Sequence, residues 1–134
     1  MVGEMTYETL GGGALDYFPC RYGKSKLIFR GPRRKLQGDY IAFLGGTETY
    51  GKFIPTPFPA LVEEAIGRAC VNFGWSNGGV DAFLNDPALL EMVSEAPVTV
   101  IQVMGAQNMT NRFYSVHPRR NDRFLKAAAL MQTI

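Results

Sequence analysis

Three apolar runs, each ended by glycine and separated from the next by a stretch of helical periodicity, constrain the fold of this chain most. "YIAFLGG" begins at residue 40, "CVNFGW" at residue 70 and "VTVIQVMG" at residue 98. Short uninterrupted apolar runs are typical of strands that are buried on both faces. We therefore expect three strands of one parallel sheet, joined by right-handed crossovers through helices.

The stretches between these runs carry helix signals. Pro57 precedes "FPALVEEAI", in which apolar residues recur at helical spacing until Gly67. Proline suits a first helical turn because its missing N–H has no intrahelical partner there. The stretch 78–96 predicts a helix that breaks and restarts, with Asp86 as the cap of the second part and Pro87 in its first position.

Both ends of the chain complete this prediction. "NDRFLKAAALMQTI" (121–134) predicts a third helix, capped by Asn121 or Asp122. Residues 1–38 are punctuated by glycine and proline throughout, which predicts an extended arm lying over the surface of the domain. The predicted organisation is an N-terminal arm followed by an α/β domain at residues 39–134. Its fold class is a three-layer α/β domain with a parallel sheet of about three strands.

The composition excludes several classes of protein. The chain has 134 residues, a net charge of +2 and 46% hydrophobic residues, as expected for one globular domain. Cys20 and Cys70 have no CxxC partner, which predicts two reduced thiols. No apolar run reaches the length of a membrane span, and the first residues do not resemble a secretory signal. We expect a cytoplasmic protein without a metal or other cofactor.

The fold predicts where a site would lie. Open α/β sheets bind ligands beyond the carboxyl ends of their strands. In this chain that edge would gather "GGTETYG" (45–51), "GWSNGG" (74–79) and "GAQNMTNR" (105–112). These stretches are rich in glycine, hydroxyl and amide groups, which suit hydrogen bonding to a polar ligand.

The same stretches resemble a known family. "FLGGTETYG" resembles the first conserved block of the SGNH (GDSL) hydrolases, a strand that runs into Gly-Asp-Ser. "VNFGWSNGG" is similar to their second block and "VIQVMGAQN" to their third. The resemblance covers about residues 40 to 110. It implies an SGNH-like or flavodoxin-like fold and an ester hydrolase or transferase.

The resemblance assigns roles to individual residues. Thr47 stands at the position of the nucleophilic serine, and Gly46 replaces the aspartate before it. Gly74 matches the glycine of the oxyanion hole. Gln107 falls on the family's asparagine and Asn108 follows it. We favour a functional role for these two amides because the third strand is expected to be central in the sheet.

The resemblance does not extend to the family's catalytic base. The family's closing Asp-x-x-His block is absent, so His117 is the candidate partner of Thr47. A hydroxyl nucleophile needs an adjacent base, and that base needs an orienting carboxylate, for which Glu48 or Asp122 could serve. The alternative is that Thr47 hydrogen-bonds its own turn. Asn77 is a further candidate for ligand binding.

Two stretches are basic, "RGPRRK" (30–35) and "HPRRNDR" (117–123), and the second is a candidate for an anion site. Arg119 and Arg120, together with Arg112, could grip a phosphate or sulfate bidentately. The alternative is a solvated basic surface. The low net charge and the lack of any known recognition module argue against nucleic acid as a partner, and no membrane partner is expected.

Three functions remain open. The first is a degenerate SGNH-hydrolase-like module that binds a small polar or anionic ligand without a complete triad. The second is an active esterase or acyltransferase completed by residues beyond Ile134, of which residues 39–134 would be the first half. The third is a homo-oligomeric structural protein that assembles through the sheet edge or the N-terminal arm.

Overall fold

The computed structural model describes residues 15–132, and these form a mixed α/β fold. The predictions for residues 1–14 and for the last two residues of the chain lie outside this range. In chain order the elements are β1 (Tyr40–Gly45), α1 (Thr47–Tyr50), α2 (Phe58–Ile66), β2 (Ala69–Gly74), α3 (Val80–Leu84), α4 (Pro87–Glu95), β3 (Val98–Ile101), a 3-10 turn (Ala106–Asn108), β4 (Tyr114–Val116), β5 (Phe124–Ala127) and α5 (Ala129–Gln132).

The three predicted strands form one parallel sheet in the order β2-β1-β3. Leu44 of β1 pairs with Phe73 of β2 on one side and with Ile101 of β3 on the other. The expectation that the third strand is central was wrong, because β1 holds that position. Burial gives the physical reason: all six residues of β1 are buried, whereas three of the four residues of β3 are exposed.

The predicted caps of the long helices are confirmed. α2 begins directly after Pro57 and ends at Gly67, whose φ of 70° is left-handed and whose N–H donates to the carbonyl of Glu63. Glycine adopts this conformation without steric cost. α4 begins after Asp86, and a side-chain oxygen of Asp86 accepts a hydrogen bond from the N–H of Leu89 at 3.1 Å.

The third predicted helix is wrong over most of its length. Residues 124–127 form β5, which pairs antiparallel with β4, and only Ala129–Gln132 are helical. Asn121 does cap a helix, but a different one. It is fully buried, and its Oδ1 accepts from the N–H groups of Gly79 and Ala82 at 2.6 and 3.0 Å, at the start of α3. The hydrophobic periodicity of residues 121–134 does not indicate this long-range contact.

The larger core cluster covers one face of the sheet and includes the segment predicted as an arm. Tyr22, Leu27 and Phe29 are buried there together with residues of β1, β2, α3 and α4. On the other face, Val62 of α2 packs against the buried residues Ile41, Phe43 and Cys70. Both faces of the sheet are therefore covered near β1 and β2.

Two further properties follow from the described residues. Cys20 and Cys70 are free thiols, the first half-buried and the second buried. Burial raises the pKa of both thiols, so neither is activated as a thiolate. None of the described helices is long and apolar enough to cross a membrane.

Candidate functional site

An open cleft of about 310 Å³ lies where β1 and β3 end at their carboxyl termini. Three segments form it: the turn after β1, the loop after β2 and the chain that follows β3. Its lining is dominated by glycine, amide, hydroxyl and carboxylate groups, with two apolar side chains. The lining residues are Gly46, Thr47, Glu48, Asn77, Gly78, Gln102, Val103, Met104, Gly105, Asn108 and Asp122.

The side chain of Gln102 organises one wall of the cleft. Its Oε1 accepts hydrogen bonds from the N–H of Gly46 at 3.0 Å and from the hydroxyl of Thr49 at 2.7 Å. Its Nε2 donates to Oε1 of Glu48 at 2.7 Å. A Cβ on Gly45 would lie only 2.5 Å from Oε1 of Gln102, so this network requires glycine there. The side-chain amide of Gln102 thus links the end of β3 to the turn after β1 by hydrogen bonds.

Glu48 supplies a negative charge at the cleft. Its side chain is exposed, and the hydrogen bond from Gln102 lowers the pKa of its carboxyl group, with a smaller contribution in the same direction from a backbone N–H. A carboxylate is stabilised in its charged form when N–H groups donate to it. Glu48 is therefore an ionised acceptor at neutral pH, held by one partner and open to solvent.

Thr47 joins the turn after β1 to the loop after β2. Its Oγ1 accepts a hydrogen bond from the N–H of Asn77 at 2.9 Å. Asn77 has a φ of 61°, a left-handed conformation that asparagine tolerates better than most residues. The hydroxyl of Thr47 keeps its own O–H as a donor, so it can still offer a proton to a ligand in the cleft.

Six of the predicted site residues therefore meet at one cleft: Gly46, Thr47, Asn77, Asn108 and the two candidate carboxylates, Glu48 and Asp122. Gly74, the predicted oxyanion glycine, is buried outside the cleft lining. Its N–H donates to Oδ1 of Asn72 at 2.8 Å. The N–H groups of Gly46 and Gly74 are thus both engaged within the protein.

His117 lies in a different local structure. Its Nδ1 accepts from the backbone N–H groups of Arg119 and Arg120 at 3.2 and 3.1 Å, which stabilises the turn after β4. His117 is not among the residues that line the cleft, and within residues 15–132 it has no hydrogen bond to Thr47. The structure therefore does not bring the predicted nucleophile and base together.

The remaining predicted ligands also lie outside the cleft. The side chain of Gln107 folds back over Gly105, and the backbone carbonyl of Gln107 accepts a hydrogen bond from the hydroxyl of Tyr114 at 2.6 Å. The guanidinium of Arg112 lies 5.1 Å from the ring centre of Phe113. The side chains of Arg119 and Arg120 are exposed beyond β4.

Sequence reasoning missed the residue that organises the site. Gln102 is the only polar residue within the run "VIQVMG", and a polar side chain at a strand end is a signal that could have been used. Gly78 was also overlooked. The sequence predicts Asp122 as a helix cap or as an orienting carboxylate for His117, whereas the structure places it at the cleft with Glu48.

The residues at the cleft do not resemble a metal centre. Within residues 15–132, no group of three or more His, Cys, Asp or Glu side chains is close enough to hold a metal ion.

The sequence matches the family DUF6473, a domain of unknown function, over residues 5–134. The chain belongs to this family. No curated protein and no solved structure matches it. The function of this DUF6473 domain must therefore be argued from the cleft itself.

Replacing Gln102 with methionine tests the hydrogen bonds that Gln102 makes at the cleft. The Gln102→Met variant of this DUF6473 domain retains the length of the side chain but removes the donor to Glu48. We expect the pKa of Glu48 to rise towards its ordinary value, because the charged form loses its main hydrogen bond.

The measurement is an NMR titration of the side-chain carboxyl carbon. Because the folded pKa of Glu48 is lowered, its contribution to stability is present above the pKa of the unfolded chain and is lost as the pH falls through the folded value. Gln37→Met, at an exposed glutamine elsewhere, is the matched control. An unchanged pKa of Glu48 in Gln102→Met would contradict the hydrogen bond from Gln102 to Glu48.

Proposed function

We propose that this chain is a binding module, derived in form from an SGNH-like three-layer α/β hydrolase, that holds a small neutral ligand rich in hydroxyl groups. The ligand class is that of a monosaccharide or an acetylated sugar. The observation that carries the proposal is the ionised carboxylate of Glu48, fixed by Gln102 at the edge of a polar cleft. Sugar hydroxyls donate readily to such carboxylates.

The charge of the cleft favours a neutral ligand over an anion. Glu48 and Asp122 contribute two carboxylates, and no lysine, arginine or histidine occurs among the described lining residues. An anion would be repelled by both carboxylates. The hydroxyl of Thr47 and the amides of Asn77 and Asn108 add neutral hydrogen-bonding groups.

The hydrogen bonds of the turn favour binding over acyl transfer. An oxyanion hole needs donors directed at the position of the developing charge. Here the N–H of Gly46 donates to Gln102, and that of Gly74 donates to Asn72. His117 is engaged in its own turn, so the groups that a hydrolase would need form hydrogen bonds to other parts of the protein.

Isothermal titration calorimetry of the full chain tests this proposal. We expect saturable binding of methyl glucoside or N-acetylglucosamine and none of sodium phosphate. Glu48→Gln keeps the size of the side chain but removes the charge, so we expect binding about tenfold weaker, since hydrogen bonds to charged groups are the stronger ones. Glu64→Gln, at an exposed position on α2, should bind as the wild type does. Phosphate binding, or equal affinity in Glu48→Gln, would contradict the proposal.

A specific observation also supports self-assembly as a second candidate. β3 is an edge strand within the described sheet; its last residue, Ile101, is 60% exposed, and Val103, which follows the strand, is 94% exposed. No charged residue occurs between positions 96 and 111. Edge strands are commonly protected by charges, so an apolar and uncharged edge favours pairing with a second copy of the same strand.

Light scattering coupled to size-exclusion chromatography tests this assembly. We expect a dimer of the wild-type chain at high concentration and a monomer after Ile101→Lys, which places a charge on the edge. Leu61→Lys, at a similarly exposed position on α2, should leave the dimer intact. A monomeric wild type at all concentrations would contradict this candidate.

A further inference from the structure

A second cleft, of about 200 Å³, lies beside β2 and the start of α2, away from the residues of the proposed site. Its walls combine apolar side chains with two arginines. The lining includes Asp16, Phe18, Arg30, Pro32, Arg34 and Pro55. None of the functions considered above uses this cleft.

Arg30 is an unusual residue to find in such a cleft, because it is only 5% exposed. Its Nη1 donates to the carbonyls of Gly51 at 2.6 Å and Tyr50 at 3.3 Å, and its Nη2 donates to that of Pro55 at 2.9 Å. The guanidinium carbon also lies 4.8 Å from the ring centre of Tyr17. Neutral groups alone hold this cation in place.

The charge of Arg30 lacks an ionic partner within residues 15–132. The ion pairs of this region join Arg34 to Glu63 and Arg68 to Asp39. Arg34, the other arginine of the cleft, is therefore neutralised, whereas Arg30 is not. Buried charges are normally paired, since burial of an isolated charge is costly, and burial indeed lowers the pKa of Arg30.

The guanidinium also retains hydrogen-bonding capacity. Arginine carries five N–H donors, and of the three bonds described above two are made by Nη1 and one by Nη2. The Nε–H and the second N–H of Nη2 have no acceptor among the described residues. Nε and Nη2 share one edge of the guanidinium, and carboxylates bind such edges bidentately.

The cleft walls define the rest of the ligand. Phe18, Pro32 and Pro55 are exposed and offer apolar surface, and Asp16 contributes a negative charge at the same cleft. This carboxylate disfavours a ligand with two negative charges. We propose that the cleft binds a small organic monocarboxylate, with its carboxylate paired to Arg30 and its apolar part against Phe18 and the prolines. This inference is independent of the sugar site.

Titration of the full chain with sodium butyrate tests the inference, with sodium phosphate at equal ionic strength as the comparison. Calorimetry should show saturable binding of butyrate and none of phosphate. Arg30→Lys keeps the charge but loses the planar pair of donors, so butyrate should bind about tenfold more weakly. Arg119→Met/Arg120→Met removes two exposed arginines from another surface and should bind butyrate as the wild type does.

A second variant covers the possibility that Arg30→Lys does not fold. Ala60→Leu fills the cleft from α2 without removing any hydrogen bond of Arg30, and it should also weaken butyrate binding about tenfold. The inference is overturned if the wild type shows no saturable butyrate binding, or if Ala60→Leu binds with wild-type affinity. Loss of binding in the Arg119→Met/Arg120→Met variant instead would assign the anion to the exposed basic surface.

Discussion

Replacing Phe29 with alanine is expected to lower the free energy of unfolding by about 4 kcal/mol, as for other fully buried phenylalanines. The side chain of Phe29 is 0% exposed. Its ring centre lies 6.0 Å from that of Tyr22 and 5.2 Å from that of Phe73 on β2. The variant would leave a cavity between the N-terminal segment and the sheet, which the surrounding rings can fill only in part.

Urea denaturation monitored by circular dichroism measures this effect. Phe53→Ala is the matched control, because Phe53 is 76% exposed and its removal should cost less than about 0.5 kcal/mol. The comparison distinguishes an N-terminal segment that completes the core from an arm that merely lies on the surface. A loss below about 1 kcal/mol in Phe29→Ala would support the surface arm.

The second large effect is expected for Asp86→Ala, at about 3 kcal/mol, because three hydrogen bonds to one buried carboxylate are lost. Oδ2 of Asp86 accepts from the hydroxyl of Ser25 at 2.6 Å and from the N–H of Lys26 at 3.2 Å. Oδ1 accepts from the N–H of Leu89 in the first turn of α4. One side chain thus caps a helix and anchors the N-terminal segment.

Urea denaturation of Asp86→Ala, Ser25→Ala and the double variant separates these two roles. Ser25→Ala should cost less than Asp86→Ala, because the cap of α4 remains intact. The double variant should cost less than the sum of the two, since both residues share one hydrogen bond. Strict additivity would show that the bond between Ser25 and Asp86 does not contribute to stability.

The sequence predicted the parallel sheet and its long helices because their signals are local. Glycine after each apolar run, Pro57 before α2 and Asp86 before α4 act within a few residues of the boundaries they mark. The order of the strands and the structure of residues 121–128 depend on contacts between distant segments. The sequence predicts that Asn121 caps a helix over 121–134, yet its side chain accepts hydrogen bonds at the start of α3.

The candidate site likewise has some features with local sequence signals and others that depend on contacts between distant segments. The edge of the sheet and the glycine turns were visible in the sequence, and these place Gly46, Thr47 and Asn77 together. The role of Gln102 was not visible, because it depends on the register that sets β3 beside β1. Likewise, only the fold reveals that Arg30 is buried without an ionic partner, since its sequence context is an ordinary basic run.

We propose that the cleft beside Glu48 binds a sugar-like ligand and does not carry out acyl transfer. Titration of the ¹⁵N-labelled full chain with methyl 6-O-acetylglucoside, followed by NMR, tests both parts in one measurement. We expect saturable shifts of the amide signals of Gly46, Thr47 and Asn77, with no acetate released. A growing acetate signal that disappears in Thr47→Val would contradict this proposal in favour of a hydrolase. A titration without shifts at the cleft would contradict the binding site itself.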